Sequence, residues 1–311
     1  MNLPCAISAG RLTLPAPAKL NLFLHVLGQR ADGYHELQTL FQLLDHGDEL
    51  TLRVRDDGLI TLTTEPSLPG VAAQENLVHR AALALRAKYP GREGADIHLR
   101  KRLPLGAGLG GGSSDAATAL VGLNRLWGLG LGPAALCTLG LPLGADVPVF
   151  IQGRSAWAEG IGERLTPVAL PPAWYLVVRP DCEVATAPVF AHPQLTRNTP
   201  AMKIRAFFGE GAGNDCAPVV EALYPQVRAA RLWLERFAEP RLTGTGACLF
   251  ARFDTRGQAA ALLSQLPAPW TGFVARGINQ SPLTRLLEPE TDRERFNDST
   301  GASPSGQGSG F

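Results

Sequence analysis

Five glycines fall within the seven residues Gly106–Gly112 of the run Pro104-Leu105-Gly106-Ala107-Gly108-Leu109-Gly110-Gly111-Gly112-Ser113-Ser114, and a helical pattern starts directly after them. Glycine lets backbone N–H groups approach a ligand with no Cβ in the way. The first turn of a helix leaves N–H donors unpaired and carries partial positive charge. Together these make a cradle for phosphate, to which Ser113 and Ser114 can add hydroxyl contacts with phosphate or a bound Mg²⁺. A connector with a serine N-cap would not need so many glycines at that point. No lysine follows them, so the run is not a P-loop. A dinucleotide fingerprint can be forced onto Gly106, Gly108 and Gly111, but it lies beyond residue 100 rather than in a first βαβ unit.

Three further segments carry chemistry. In Pro17–Val26 the residues alternate as on a strand, with Ala18, Leu20, Leu22, Leu24 and Val26 on one face and Lys19, Asn21, Phe23 and His25 on the other. A lone lysine there would belong to a solvated face. Lys19 and Asn21 stand two residues apart, ~6–7 Å along a strand, which suits an ammonium and an amide lining one pocket. Asp146 is the only charge in the apolar run Leu143–Ile151. With Pro148 after it, Asp146 fits a helix N-cap. It also fits a carboxylate held in a dry pocket to orient or deprotonate a hydroxyl, and the two readings are compatible. Arg241-Leu-Thr243-Gly244-Thr245-Gly246 is a second glycine turn leading into a strand, either a phosphate or substrate contact or a tight hairpin.

These segments must be positioned by a chain of 311 residues with 29 Lys+Arg, 28 Asp+Glu and 45% hydrophobic residues. That composition supplies a globular core, and the balanced charge offers no basic footprint for nucleic acid or a membrane surface. Cys5, Cys137, Cys182, Cys216 and Cys248 never stand as C-x-x-C, so neither a disulfide framework nor a structural zinc is expected. With no transmembrane stretch and no signal-peptide pattern, the expected location is cytoplasmic. The patterning predicts a strand over Leu12–Leu27, a hairpin of Leu50–Val54 with Leu59–Thr63, a helix over Asn76–Tyr89, a short strand at Ile97–Arg100 and a helix over Ser113–Trp127. After a proline-rich link, Pro167–Pro172, it predicts a strand at Tyr175–Val178, a helix over Val219–Phe237, a strand at Ala247–Phe253, a helix over Gly257–Leu266 and a strand at Phe273–Gly277. Strands and helices mix without a strict βαβ rhythm, which makes the fold class α+β. Residues 1–170 then form an N-terminal domain and 171–287 a C-terminal one. The Ser/Gly-rich stretch 288–311 reads as a disordered tail.

In this order and spacing the four segments resemble the GHMP kinases, whose Pro-x-x-x-Gly-Leu-Gly-x-Ser-Ser loop is present here with one extra glycine. Together with Arg30-Ala-Asp-Gly-Tyr34-His35 and Gly144-Ala-Asp146-Val-Pro-Val-Phe150, the match is to the branch acting on a CDP-linked methylerythritol, and it runs from about Pro15 to Leu286. The resemblance implies a two-domain fold, an N-terminal mixed sheet with helices and a ferredoxin-like C-terminal domain. It implies transfer of the γ-phosphoryl group of ATP, with Mg²⁺, to the 2-hydroxyl of that substrate in non-mevalonate isoprenoid formation. It implies Asp146 and Lys19 as the catalytic pair, residues 104–114 as the ATP loop, and Asn76 and Lys101 as further holders of the nucleotide. Tyr34, His35 and Phe190 would hold the cytosine by stacking and a histidine hydrogen bond, with Asn21 and Thr186 touching the rest of the substrate. No protein ligand set for a resident metal is implied, nor a nucleic-acid or membrane partner, and the enzyme would be a monomer or weak homodimer. Asp115 departs from the pattern, placing an acid just after the loop serines, where it could favour the helix dipole, help hold Mg²⁺ or repel phosphate. A kinase for another small molecule, or a nucleotide sensor without catalysis, would be the competing readings, and the Tyr34-His35 segment and the retained Lys19 and Asp146 speak against each in turn.

Overall fold

The computed structural model describes residues 6–8, 10–67, 70, 72, 74–91, 94–210 and 212–287. Cys5 and the stretch from Glu288 onward lie outside the described residues.

Two long strands form the spine. After the short strand β1 (Ala6–Ser8), β2 (Arg11–Gln29) runs antiparallel to β3 (His35–Arg55) from Arg11 opposite Arg53 to Gln29 opposite His35. Register shifts interrupt the ladder between Pro17 and Lys19, Asn21 and Leu24, and Val26 and Gly28. These shifts change the simple alternation expected for β2, and Phe23 packs in the same apolar cluster as Leu20 and Leu22 rather than opposite them. The free edge of β3 is shared. Strand β6 (Ala156–Gly160) takes residues 37–41, β11 (Thr271–Ile278) takes Leu43 and Leu44, and β5 (Gly94–Arg100) takes residues 49–55.

The hairpin expected between Leu50–Val54 and Leu59–Thr63 does not form. Strand β4 (Ile60–Glu65) pairs parallel to β5, which lies between it and β3. Burial explains the order: Ala95, Ile97 and Leu99 of β5 are fully buried, whereas Thr61, Thr63 and Glu65 of β4 are exposed and suit an edge. Strand β7 (Arg164–Pro167) extends β6 on the other side.

Four helices cover this sheet, α1 (Leu77–Lys88), α2 (Gly111–Leu126), α3 (Pro133–Gly140) and α4 (Val147–Gln152). The stripe read from the sequence, Ala116, Leu120, Leu123 and Trp127, is buried and meets Leu12, Leu14, Leu50 and Leu52 of the sheet. Gly122 marks the closest approach, since a Cβ there would stand 2.3 Å from Leu52.

Beyond the proline-rich link, β8 (Trp174–Arg179), β9 (Arg241–Leu242), β10 (Leu249–Phe253) and β11 lie in the order β11-β8-β10-β9, all antiparallel. Helices α5 (Thr186–Ala191), α6 (Ile204–Glu210), α7 (Ala217–Leu223) and α8 (Pro225–Leu234) come between β8 and β9, and α9 (Arg256–Leu263) between β10 and β11. Counted from first to fourth, these strands stand 4-1-3-2, the ferredoxin-like arrangement. The single helix expected over Val219–Phe237 is two, because Pro225 lacks an N–H and holds Tyr224 out of the helical region. Past β11 the chain turns through α10 (Thr284–Leu287), and Leu283 and Leu286 pack into the first core. Among the described residues no helix is long and apolar enough to cross a membrane.

Leu14 has no exposed surface at all. Leu14→Ala is expected to cost about 3 kcal/mol, seen as a lower urea midpoint at unchanged slope. An unshifted midpoint would contradict this packing.

Candidate active site

The glycine run enters α2 as its chemistry requires. The helix starts at Gly111, two residues earlier than expected, with Gly110 left-handed at φ +70° as its N-cap. A Cβ on Gly110 would press on the Phe150 ring at 2.8 Å and on the Lys19 side chain at 3.1 Å. Gly108 is also left-handed, at φ +72°, and a Cβ there would lie 2.1 Å from the Thr243 carbonyl oxygen. That contact joins the two glycine segments: the Thr243 hydroxyl donates to Gly108 O at 3.0 Å, and Cys248 N donates to Ala107 O at 3.3 Å. Asn214 holds the second turn from behind, donating to Leu242 O and Gly244 O at 2.9 and 2.8 Å. Side chains of Leu103, Ala107 and Leu109 are buried, so these residues present backbone to the site.

Lys19 is tied to the loop by its own backbone, Lys19 N donating to Leu109 O at 3.0 Å. Its ammonium lies 3.2 Å from Asp146 Oδ2, donates to Asn21 Oδ1 at 2.5 Å, and sits 5.3 Å from the centre of the Phe41 ring. Asn21 is held in turn, its Nδ2 donating to the Thr39 hydroxyl and its N to the Thr243 hydroxyl, both at 3.0 Å. Asp146 stands at the N-cap position of α4 but makes no capping hydrogen bond. Its side chain keeps 30% of its surface open, against 4% for Lys19. A fixed, buried cation thus faces a carboxylate that still reaches the cavity.

That cavity measures about 700 Å³. At one end it is lined by Gly106, Gly108, Gly110 and Ser113, in the middle by Lys19, Asn21 and Asp146, and at the other end by Tyr34, His35, Thr186 and Phe190. His35 and Phe190 are stacked with ring centres 5.1 Å apart. Tyr34 is 60% exposed at the rim. The Thr186 and Thr245 hydroxyls are hydrogen bonded at 3.0 Å.

Other expected site residues lie elsewhere. The Asn76 side chain caps α1, accepting from Val78 N at 2.9 Å. The Ser114 hydroxyl is buried and has no hydrogen-bond partner among the described residues. Lys101 is buried behind the loop, its ammonium shared by Asp48 and, at 2.9 Å, Asp115. Asp115 therefore faces neither phosphate nor Mg²⁺. Burial pushes its carboxyl up to about 8, with the Lys101 ammonium pulling the other way. Asp48 also accepts from Arg102 N and Leu103 N at 2.5 and 2.8 Å, which fixes the approach to the glycine loop.

Asp48, Thr39 and Arg197 were not legible as site residues. The polar stretch Asp45-His46-Gly47-Asp48-Glu49 carried a signal for the first, since a strand so placed would bury some of those charges. Arg197, which donates to His35 Nε2 at 3.1 Å, carried none.

GHMP kinases N terminal domain matches residues 76–154, and GHMP kinases C terminal matches residues 203–272. The 4-diphosphocytidyl-2-C-methyl-D-erythritol kinase of Pseudomonas paraeruginosa (strain DSM 24068 / PA7) is 55% identical over 280 residues, covering 90% of this chain and 99% of its own. The chain belongs to the GHMP kinase family. The kinase of the same name from Alkalilimnicola ehrlichii is 56% identical to this GHMP kinase over 278 residues, 89% of this chain and 95% of the relative. A crystal structure of a 4-(cytidine 5'-diphospho)-2C-methyl-D-erythritol kinase superposes with a TM-score of 0.75 at 33% identity, over 85% of this chain and 98% of that one. A homoserine kinase from Cytophaga hutchinsonii shares the fold, with a TM-score of 0.66 at 18% identity over 90% and 98% of the two chains.

Gly108→Ala in this GHMP kinase sets a Cβ against the Thr243 carbonyl in a left-handed backbone, so an ATP analogue is expected to bind at least about tenfold more weakly. Calorimetric titration reads this directly. Wild-type affinity would mean that the loop does not hold the nucleotide.

Proposed function

We propose that this GHMP kinase transfers the γ-phosphoryl group of ATP to the 2-hydroxyl of 4-diphosphocytidyl-2-C-methyl-D-erythritol, a step of non-mevalonate isoprenoid precursor formation. The chain is a small-molecule kinase, and it uses ATP as its family does. The observation that carries the finer reading is the Lys19–Asp146 pair, 3.2 Å apart, in the middle of a cavity with a glycine cradle at one end and stacked rings at the other. Relatives more than half identical over nine-tenths of the chain bear the name of that reaction.

Phosphoryl transfer asks for alignment and charge compensation rather than covalent help from the protein. The N–H groups of the glycine run and the first turn of α2 take the phosphate oxygens. Lys19 balances the charge on the transferred group while Asn21 and Asp146 fix where its ammonium stands. Asp146 takes the hydroxyl proton or orients the hydroxyl for attack. Asn76 and Lys101 support the nucleotide indirectly, Asn76 by capping α1 and Lys101 through the packing beneath Gly111. Tyr34, His35 and Phe190 hold the cytosine, and Asn21 and Thr186 approach the linker and polyol.

The donor set fits a metal carried in on phosphate. The Ser113 hydroxyl lies 3.1 Å from where a Gly144 Cβ would be, on the Asp146 side of the cradle. Ser113 is the group that would hold Mg²⁺ there together with phosphate oxygens. When bound, the ion neutralises charge on the transferring group. The reading includes a cytoplasmic enzyme working as a monomer or weak homodimer.

Asp146→Asn is expected to lower kcat by ~10²–10⁴-fold while binding of an ATP analogue stays near wild type. Paired assays with the CDP-linked and the unlinked polyol test the substrate. Equal turnover of the two would remove the cytidine claim, and unimpaired turnover by the variant would remove the role of Asp146.

A further inference from the structure

Arg197 lies in the segment between α5 and α6 and spends its whole guanidinium on one corner of the cavity. Nε donates to His35 Nε2 at 3.1 Å, Nη1 to Leu195 O at 3.1 Å, and Nη2 to Phe190 O and His192 O at 2.7 and 2.9 Å. A guanidinium has only donors and stays protonated in proteins. The His35 atom that receives it must therefore present a lone pair. A neutral imidazole carries one proton, so it sits on the other nitrogen. His35 is thereby fixed as the Nδ1–H form, with its ring stacked on Phe190, whose carbonyl the same guanidinium holds.

We infer that Arg197 is a specificity-determining residue: by fixing the tautomer of His35 it makes that ring a hydrogen-bond donor toward the base, which favours cytosine over uracil. This rests on the cytidine reading of the pocket given above. The chemistry lies in the pairing edge of the base. Cytosine N3 is an acceptor, whereas uracil carries a proton there. An N–H facing N3 is satisfied by the first base and faces another donor in the second. A site whose buried polar group is left unmatched discriminates far more strongly than one that merely differs in apolar fit. The electrostatics agree with a neutral ring, since burial first and Arg197 second lower the His35 pKa from its ordinary value. Arg197 does not touch the base in this account. It acts through His35 and is a positioning residue.

The test has a spectroscopic and a kinetic arm. In ¹⁵N-histidine-labelled wild-type protein, two-bond proton–nitrogen correlation spectra, assigned with His35→Ala, are expected to show His35 Nδ1 protonated and Nε2 bare. A dominant Nε2–H form would overturn the inference whatever the variants do. In turnover assays with cytidine- and uridine-diphosphate-linked methylerythritol, Arg197→Met is expected to reduce the cytidine preference at least about tenfold. The loss should come mostly through a raised KM for the cytidine compound and a gain on the uridine one, because an unlocked His35 can turn Nδ1 into an acceptor. Arg197→Lys keeps a donor without an acceptor and should retain most of the preference, which a purely structural role would not produce. A folded Arg197→Met protein with the wild-type preference would overturn the inference, and if that variant does not fold the wild-type spectrum decides. His35→Ala separates the two levels. If it keeps the full cytidine preference, the base-pocket reading fails. If it loses that preference while Arg197→Met keeps it, only the role of Arg197 fails.

Discussion

An ammonium taken out of water needs oxygen partners on every side, or its burial costs several kcal/mol. Lys19 meets that demand with one amide oxygen and one carboxylate, Asn21 Oδ1 and Asp146 Oδ2. Much of the cavity's architecture follows from this requirement. Asn21 faces Lys19 because the two stand two residues apart on a stretch of β2 whose ladder to β3 keeps one register, from Lys19 opposite Leu43 to Asn21 opposite Phe41. Asp146 can reach it only because α4 starts without using that side chain as a cap. Phe41 closes the remaining side with its ring face. The pair is asymmetric in exposure, and that asymmetry makes it chemically useful: the cation is fixed and dry while the carboxylate remains open to a substrate hydroxyl.

A second buried cation does related work one layer back. Lys101 is enclosed by Asp48 and Asp115, two acids around one base. Excess negative charge in a low-dielectric setting pushes a carboxyl upward, as burial does for Asp115. The group binds three pieces of chain that must stay in register for the loop to keep its shape: the interior of β3 through Asp48, the residues leaving β5 through Lys101, Arg102 and Leu103, and the first turns of α2 through Asp115. Asp115 therefore belongs with the supports of the loop rather than with its ligands.

Local chemistry made the centre of the site legible. The glycine run, Lys19 with Asn21, and Asp146 were each visible as residue types at telling spacings, and the family resemblance placed them together. Helix α2 was legible from its stripe, and the strands after the proline link from their apolar runs. What stayed hidden depends on pairing at a distance. Nothing near Leu59–Thr63 says that β5 will come between it and β3. The length of β3 was masked by Gln38, Gln42, Asp45 and Asp48, polar residues whose partners lie mostly far along the chain, such as Ser155, Ile278 and Leu103. Pro225 was a legible break that a strong apolar pattern on both sides outweighed. Arg197 is an ordinary arginine until the fold sets it beside His35.

The seam between the two sheets is narrow. Only Gly277 with Leu44 and Ile278 with Leu43 join β11 to β3, and the chain then re-enters the first core with Leu283 and Leu286. More than that ladder ties the halves together: Leu24 N and Val26 N of β2 donate to Gly213 O and Asp215 Oδ2 at 3.0 and 2.7 Å, and Ala18, Leu20, Leu40 and Trp157 share one apolar cluster with Tyr175, Val177 and Phe250, which leaves little freedom for one half to swing as a rigid flap over the other. Ligand traffic must then be governed at the rim, where Tyr34 projects into solvent on the turn ahead of β3, so that the doorway is a matter of single side chains rather than of hinged lobes.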